Sequence, residues 1–175
     1  MLVKKGLGNK GSLELETKAS DGTKEVTIGP VTPRDLRNLV NLERECFATE
    51  AYTERQMRDL LESPNAIAFL AKVDDDIVGF AISLVEDFEG AKTGHIVTID
   101  VAVKHRRKGI GLTLLKAAED ALLQREVQIV YLEVRADNNP ALQLYNKRGY
   151  VKTEVLEDYY SAGVRAVRMM KQLKS

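Results

Sequence analysis

Apolar and polar positions alternate in short runs along the chain, give way to helical spacing and return, and these changes mark out its elements. Residues 25–31 alternate and predict a strand. Thr32-Pro33 supplies a helix start, Thr as N-cap and Pro at the first helical position, and Leu36, Leu39, Val40 and Leu42 carry one apolar face towards Phe47. Thr53 with Gln56 is a capping-box pair, predicting a second helix that ends near Ser63-Pro64. Residues 66–73 and 77–85 read as strands joined at Asp74-Asp75-Asp76 as a hairpin, and 87–94 as a polar loop. Ile96, Val97, Ile99, Val101 and Val103 make 95–103 a strand of near-continuous apolar character. The helix that follows, to about residue 125, presents Leu114, Leu115, Ala118, Ala121 and Leu122 at helical spacing. Residues 127–134 read as a buried strand, 138–148 as a short helix stopped by Gly149, and 150–156 and 164–170 as two closing strands.

The order is strand, two helices, three strands, helix, strand, helix, two strands. It predicts an α/β (α+β) chain with a mixed central sheet of about seven strands and about four helices. The helix after Gly111 has to cross over to a parallel neighbouring strand, in the right-handed sense. A chain of 175 residues suits one domain, placed at 25–175. Residues 1–24, rich in Gly, Lys, Ser and Thr, read as an N-terminal extension, a mobile arm or an extra strand.

Charge and cysteine content narrow the function classes. Lys plus Arg and Asp plus Glu both number 26, and this balance argues against bulk electrostatic binding to nucleic acid or an anionic membrane. No apolar stretch approaches the roughly 18 residues of a transmembrane helix, and no apolar segment follows Lys4-Lys5 as in a signal peptide. Cys46 is the only cysteine, so no internal disulfide forms, which fits a reducing, cytoplasmic setting; beside Phe47 it reads as a packing residue. His95 and His105, the only histidines, form no metal-ligand spacing with it, and no metal is expected.

The strongest chemical feature is Arg106-Arg107-Lys108-Gly109-Ile110-Gly111, between the apolar strand and the helix. The first N–H groups of a helix lack partners within it and carry partial positive charge, and glycine lets backbone approach an anion closely. The segment is therefore a candidate pyrophosphate cradle. It is not the dinucleotide fingerprint, because Leu114 stands where a third glycine would be, and no Gly-Lys-Ser/Thr of a Walker loop is present.

Arg106-x-x-Gly109-x-Gly111 resembles the acetyl-CoA pyrophosphate motif, Gln/Arg-x-x-Gly-x-Gly/Ala, of the GNAT (GCN5-related N-acetyltransferase) superfamily. The segment 132–150, Leu-Glu-Val-Arg-Ala-Asp-Asn-Asn-Pro-Ala-Leu-Gln-Leu-Tyr-Asn-Lys-Arg-Gly-Tyr, is similar to the second half of that core in RimI-type and archaeal protein N-terminal acetyltransferases. Gly94-His95-Ile96-Val97 and Tyr159-Tyr160 resemble the archaeal branch and the catalytic subunit of eukaryotic N-terminal acetyltransferase A. The resemblance spans roughly residues 25–172 and implies a GNAT fold, with acetyl-CoA between splayed parallel strands, the fourth and fifth of the seven.

It also implies site residues. The backbone of Ile99, Asp100 and Val101 would pair with the pantetheine arm, and N–H groups of Arg106, Arg107, Lys108, Gly109, Ile110, Gly111 and Leu112 would hold the pyrophosphate. Asn138 and Tyr145 match cofactor-contacting positions, Tyr145 near the thioester sulfur as proton donor to the thiolate. Glu133 matches the RimI-like proton acceptor, while His95 and Glu50 match residues that serve in archaeal relatives. Phe47, Tyr52, Tyr159 and Tyr160 would line a peptide entrance.

The implied reaction is direct attack of an amine on the thioester, with coenzyme A as product. An α-amino group, with a pKa of about 7.7–8.0, needs only a weak base, whereas a lysine amine, near 10.4, asks more. Burial at a strand end would raise Glu133's pKa, and a backbone N–H near Val101 would receive the oxyanion. Glu133, Glu50, His95 and Asp100 all remain candidate bases. Asp100 departs from the Ile-Ala-Val of many relatives, and 162–166 lacks the acids they carry after the tyrosine pair. The expected acceptor is a protein or peptide N-terminus, with an auxiliary subunit or a homodimer as partner arrangements. A small amine, a lysine side chain or a non-catalytic acyl-CoA-binding role are the alternatives.

Overall fold

The computed structural model describes residues 15–21, 24–47, 50–88 and 90–174. One eight-stranded sheet runs through them in the order β1-β2-β3-β4-β5-β6-β8-β7. The strands are β1 (Leu15–Asp21), β2 (Lys24–Pro30), β3 (Ala66–Val73), β4 (Asp76–Phe88), β5 (Ala91–Val101), β6 (Ile129–Arg135), β7 (Val151–Ser161) and β8 (Val164–Gln172). Counted from β2 these are the seven strands expected; β1 adds an eighth from the extension, pairing antiparallel with β2. Among the described residues the only parallel pair is β5 with β6, the fourth and fifth of the seven.

The helices are α1 (Leu36–Phe47), α2 (Glu54–Glu62), α3 (Ile110–Gln124) and α4 (Asn139–Lys147). Their starts are written locally. Thr53 and Gln56 exchange side-chain-to-backbone hydrogen bonds, 2.9 Å from the Thr53 N–H to Gln56 Oε1 and 3.3 Å from the Gln56 N–H to Thr53 Oγ1. Thr32 and Asp35 close a short 3-10 turn that leads into α1. α1 and α2 bury Leu39, Val40, Leu42 and Met57 against Leu70, Phe80 and Ile82 on one sheet face. α3 packs on the other face, placing Ile110, Leu114 and Ala117 on β2, β3 and β4. Leu115, Ala118 and Leu122 meet β6, β8 and Tyr145 of α4 on the same face.

Two expectations are corrected. Residues 87–94 are not a loop: β4 and β5 continue as a ladder to Phe88 opposite Ala91, with Gly90 at φ 78° in the turn. The ladder rests on backbone hydrogen bonds, so polar residues sustain it beyond the helix-covered part of the sheet. The apolar strand before the basic turn stops at Val101, and Val103–His105 is a 3-10 turn with Val103 exposed.

Candidate active site

β5 and β6 pair only from Thr93 opposite Ile129 to Ile96 opposite Leu132. Beyond that point β5 stays with β4 and β6 stays with β8, so the two parallel strands part. The parting begins at a bulge: Ser83 faces Ile96 and Ile82 faces Thr98, leaving Val97 as an extra residue on β5. A V-shaped gap therefore opens at the middle of the sheet, bounded by 97–101 on one side and 133–135 on the other.

The basic turn closes the end of this gap. Arg107 (φ 61°) and Gly109 (φ 82°) both lie in the left-handed region, which turns successive backbone N–H groups into a concave nest at the start of α3. Thr113 is the residue whose N–H closes on Gly109 O, at 3.0 Å, so the N–H groups of Ile110, Gly111 and Leu112 precede the helical hydrogen-bond ladder. Arg106 Nε donates back to Val101 O at 3.0 Å, tying the turn to the end of β5. A Cβ at Gly111 would lie 3.7 Å from Val101 Cγ2, an ordinary contact, so the position adjoins the strand without being crowded by it. Turn, helix terminus and unpaired strand edge have the shape and polarity that a pantetheine arm and its pyrophosphate require.

Across the gap, β6 carries Glu133, whose side chain is 4% exposed. Its Oε2 lies 2.8 Å from His95 Nε2, and its Oε1 accepts from Arg168 Nε of β8 at 2.8 Å. Burial by itself would raise the Glu133 carboxyl, but the hydrogen bonds and charges of His95 and Arg168 outweigh it, and the net direction is down. The expected upward shift is thus corrected: Glu133 is held ionised. Arg168 Nη1 also donates to Glu154 Oε2 at 2.6 Å.

The tyrosines gather around this carboxylate. The Tyr160 hydroxyl donates to the Glu133 carbonyl oxygen at 3.3 Å, and Tyr159 stands edge-on to Tyr160 with centroids 5.0 Å apart. Burial, then Glu133, pushes Tyr159 up to about 12. Tyr52 is half-buried and raised first by burial and then by Glu43 and Glu133. Tyr145 of α4 is buried and meets Tyr150 edge-on at 5.7 Å; burial holds its hydroxyl protonated. Phe47 ends α1 and is partly exposed.

Three more of the expected residues have partners of their own. Glu50 is joined to Arg135 Nη1 at 2.6 Å, across the end of β6, rather than to His95 or Glu133. Asn138 caps α4, its Oδ1 accepting from Ala141 N–H at 3.2 Å. The Asp100 side chain turns to the α1 face, where it is 1% exposed and within hydrogen-bonding reach of Glu43, itself 2% exposed. Neither Asp100 Oδ2 nor Glu43 Oε2 has a donor among the described residues, and burial, with Glu43 beside it, raises the Asp100 carboxyl so that Asp100 keeps its proton. Arg168 and Glu43 reach the site from a strand and a helix distant along the chain, Glu86 through the β4–β5 ladder, and Tyr131 from the same strand and face as Glu133; none of them belongs to the motifs read in the sequence.

The chain belongs to the acetyltransferase (GNAT) family, which it matches over residues 36–150. It is 34% identical over 155 residues to an N-alpha-acetyltransferase of Sulfurisphaera tokodaii, covering 83% of this chain and 92% of the relative. The fold is similar to the ribosomal-protein-S18-alanine N-acetyltransferase of Escherichia coli, with a TM-score of 0.77 at 25% identity over 86% of this chain and 95% of that one. It is also similar to Arabidopsis thaliana Naa50 in complex with the bisubstrate analogue CoA-Ac-MVNAL, with a TM-score of 0.74 at 26% identity over 85% and 99%. The protein is an acetyl-CoA-dependent acetyltransferase. No helix among the described residues is long and apolar enough to cross a membrane.

Proposed function

We propose that this acetyltransferase acts on the free α-amino group of protein N-termini. The observation that carries the reading is the buried Glu133–His95 pair at the mouth of the β5/β6 gap, with Tyr52, Tyr159 and Tyr160 around it. An aromatic surround, with Tyr52 and Tyr160 partly buried and Tyr159 exposed at the rim, suits the tapered end of a peptide. The relatives named for α-amino acetylation support the same acceptor.

Acetyl-CoA supplies a thioester whose carbonyl carbon is the electrophile and whose thiolate departs. The N–H groups of Ile110, Gly111 and Leu112 bind the pyrophosphate, with Arg106, Arg107, Lys108 and Gly109 forming the turn that presents them, and the Ile99–Val101 segment aligns the pantetheine. Asn138 holds the start of α4 and so the placing of Tyr145. Glu133, ionised and hydrogen-bonded to His95, receives the proton that the amine loses. In this reading Tyr145, protonated by burial, returns a proton to the leaving sulfur. Glu50, through Arg135, anchors the segment between α1 and α2 that carries Tyr52 to the end of β6, with Phe47 at the α1 side of the entrance. Burial raises the half-buried Cys46 thiol to about 11 and keeps it protonated, and the lone cysteine is the feature that fits a cytoplasmic protein.

The test is acetyl transfer to short peptides with different first residues, beside N-terminally blocked peptides with an internal lysine, and spermidine. Transfer confined to free N-termini is expected. Transfer only to lysine or spermidine overturns the acceptor. Acetyl-CoA binding without transfer to any of them points to a binding module, or to an enzyme needing an auxiliary subunit.

A further inference from the structure

The Glu133–His95 pair is one end of a longer constellation. His95 lies on β5 opposite Leu84 of β4 and Tyr131 of β6. Its ring stacks on Tyr131 with centroids 4.4 Å apart and planes 8° from parallel. While Nε2 faces Glu133, Nδ1 faces Glu86 Oε2 at 3.6 Å, an ion-pair separation longer than a hydrogen bond. The Tyr131 hydroxyl donates to that same Glu86 oxygen. The groups around the imidazole are thus Glu86 from β4, Glu133 and Tyr131 from β6 and Arg168 from β8, whose guanidinium carbon lies 5.8 Å from the Tyr131 centroid, with Tyr159 and Tyr160 of β7 beyond Glu133.

Exposure rises along this series: 4% for the Glu133 side chain, 19% for His95 and 33% for Glu86. The inner carboxylate is sealed and the outer one reaches water, with the imidazole between them. A neutral imidazole donates from one nitrogen only; the imidazolium donates from both and is the form that matches two flanking carboxylates. Tyr131 fixes the ring plane from one side and the position of Glu86 from the other.

We propose that Glu86 is a positioning residue for acetyl transfer: held by the Tyr131 hydroxyl, it sets which His95 nitrogen faces Glu133 and supplies the counter-ion for the imidazolium. This rests on the reading of Glu133 as proton acceptor. The amine N–H breaks as a Glu133 O–H forms, while His95 Nε2–H goes on donating to the same carboxylate. That O–H then breaks as its proton passes to water, and an equal proton returns from water to Tyr145 after it has protonated the departing thiolate. Transfer from a neutral amine thus releases no net proton, and Glu86 keeps its charge opposite the imidazole throughout.

The test uses the full chain and two readouts. Glu86→Gln keeps an acceptor for the Tyr131 hydroxyl and removes the charge; Glu86→Asp restores the charge. Steady-state rates across about pH 6–10 should give a kcat lower by roughly tenfold in Glu86→Gln, within the span of general-base contributions. KM for both substrates should change less than about twofold, with partial recovery in Glu86→Asp. NMR of the imidazole ring nitrogens at one fixed pH is independent of turnover. The chain has two histidines, so loss of one signal set in His95→Gln identifies His95. Its ring-nitrogen shifts should change in Glu86→Gln, as loss of the carboxylate facing Nδ1 requires. Unmoved ring-nitrogen shifts overturn the proposal. Moved shifts with an unchanged kcat also overturn it, since the charge would then not serve the reaction. If free N-termini are not acetylated, the same rates are measured on whichever amine is accepted. Failure of the acceptor reading and failure of the Glu86 role thus stay distinct.

Discussion

At the scale of single residues the site separates two glutamates that the chain alone leaves as equals. Glu133 is buried, ionised and bonded to His95; Glu50 is committed to Arg135 at the rim. Glu133→Gln should lower kcat at neutral pH by roughly a hundredfold, with acetyl-CoA affinity within about twofold of wild type. Steady-state rates with calorimetric binding decide this, and an unchanged kcat would move the base role to another group. Glu50→Gln should instead raise the peptide KM several-fold and leave kcat near wild type, because it frees the rim without touching the proton acceptor; a kcat loss as large as that of Glu133→Gln would refute this division. Glu133 and Tyr145 were legible from the motif 132–150, and so were the turn glycines. Arg168 was not, since β8 meets β6 only after α4 and β7 intervene, and Glu86 was not, since the ladder that brings it to His95 runs through residues 87–94, which read as a loop.

At the scale of elements the revealing joint is α1 against β5, where Glu43 meets Asp100. Burial first, then Glu43, lifts the Asp100 carboxyl from its ordinary 3.8 to about 10. A carboxyl raised in the folded state holds a proton there that the unfolded chain has released. Its contribution to stability is therefore complete below about pH 4 and is lost as pH climbs towards the folded value. Asp100→Asn, which keeps a donor for Glu43 and cannot ionise, should flatten the fall of Tm between about pH 5 and 9. At the alkaline end it should melt above wild type by ~2–4 °C for each kcal/mol recovered. Parallel melting curves for the two proteins across that range would show that the pair does not titrate. The sequence marked Asp100 as a departure from relatives; the ladder sets it opposite Phe80 on the α1 face, which His95 shares opposite Leu84, and there it meets Glu43. The same limit explains the missed continuation of the β4–β5 hairpin, where polar residues occupy a ladder that only pairing reveals, whereas capped helices such as α2 were readable because their signals are local.

At the scale of the molecule, the sheet is built in two parts joined by a short parallel ladder. β1 to β5 form one part and β6 to β8 the other, linked by four paired positions, from Thr93–Ile129 to Ile96–Leu132, and by α3 beneath. A ligand lying in the gap touches both parts and replaces the missing ladder, so binding should couple directly to unfolding. At a hundredfold excess over Kd, acetyl-CoA should add about 2.7 kcal/mol, or roughly 5–10 °C in Tm for a chain of this length. Gly111→Glu should erase that shift while leaving the unliganded Tm nearly unchanged. The new Cβ meets only ordinary contacts, and helix propensity improves over glycine, so the carboxylate acts against the pyrophosphate and not against the fold. Hydrogen exchange of the same two proteins locates the effect. In wild type, acetyl-CoA should slow exchange of the 99–101 and 110–112 amides most. Equal protection spread over both parts, or a Tm shift retained in Gly111→Glu, would place the cofactor outside the gap.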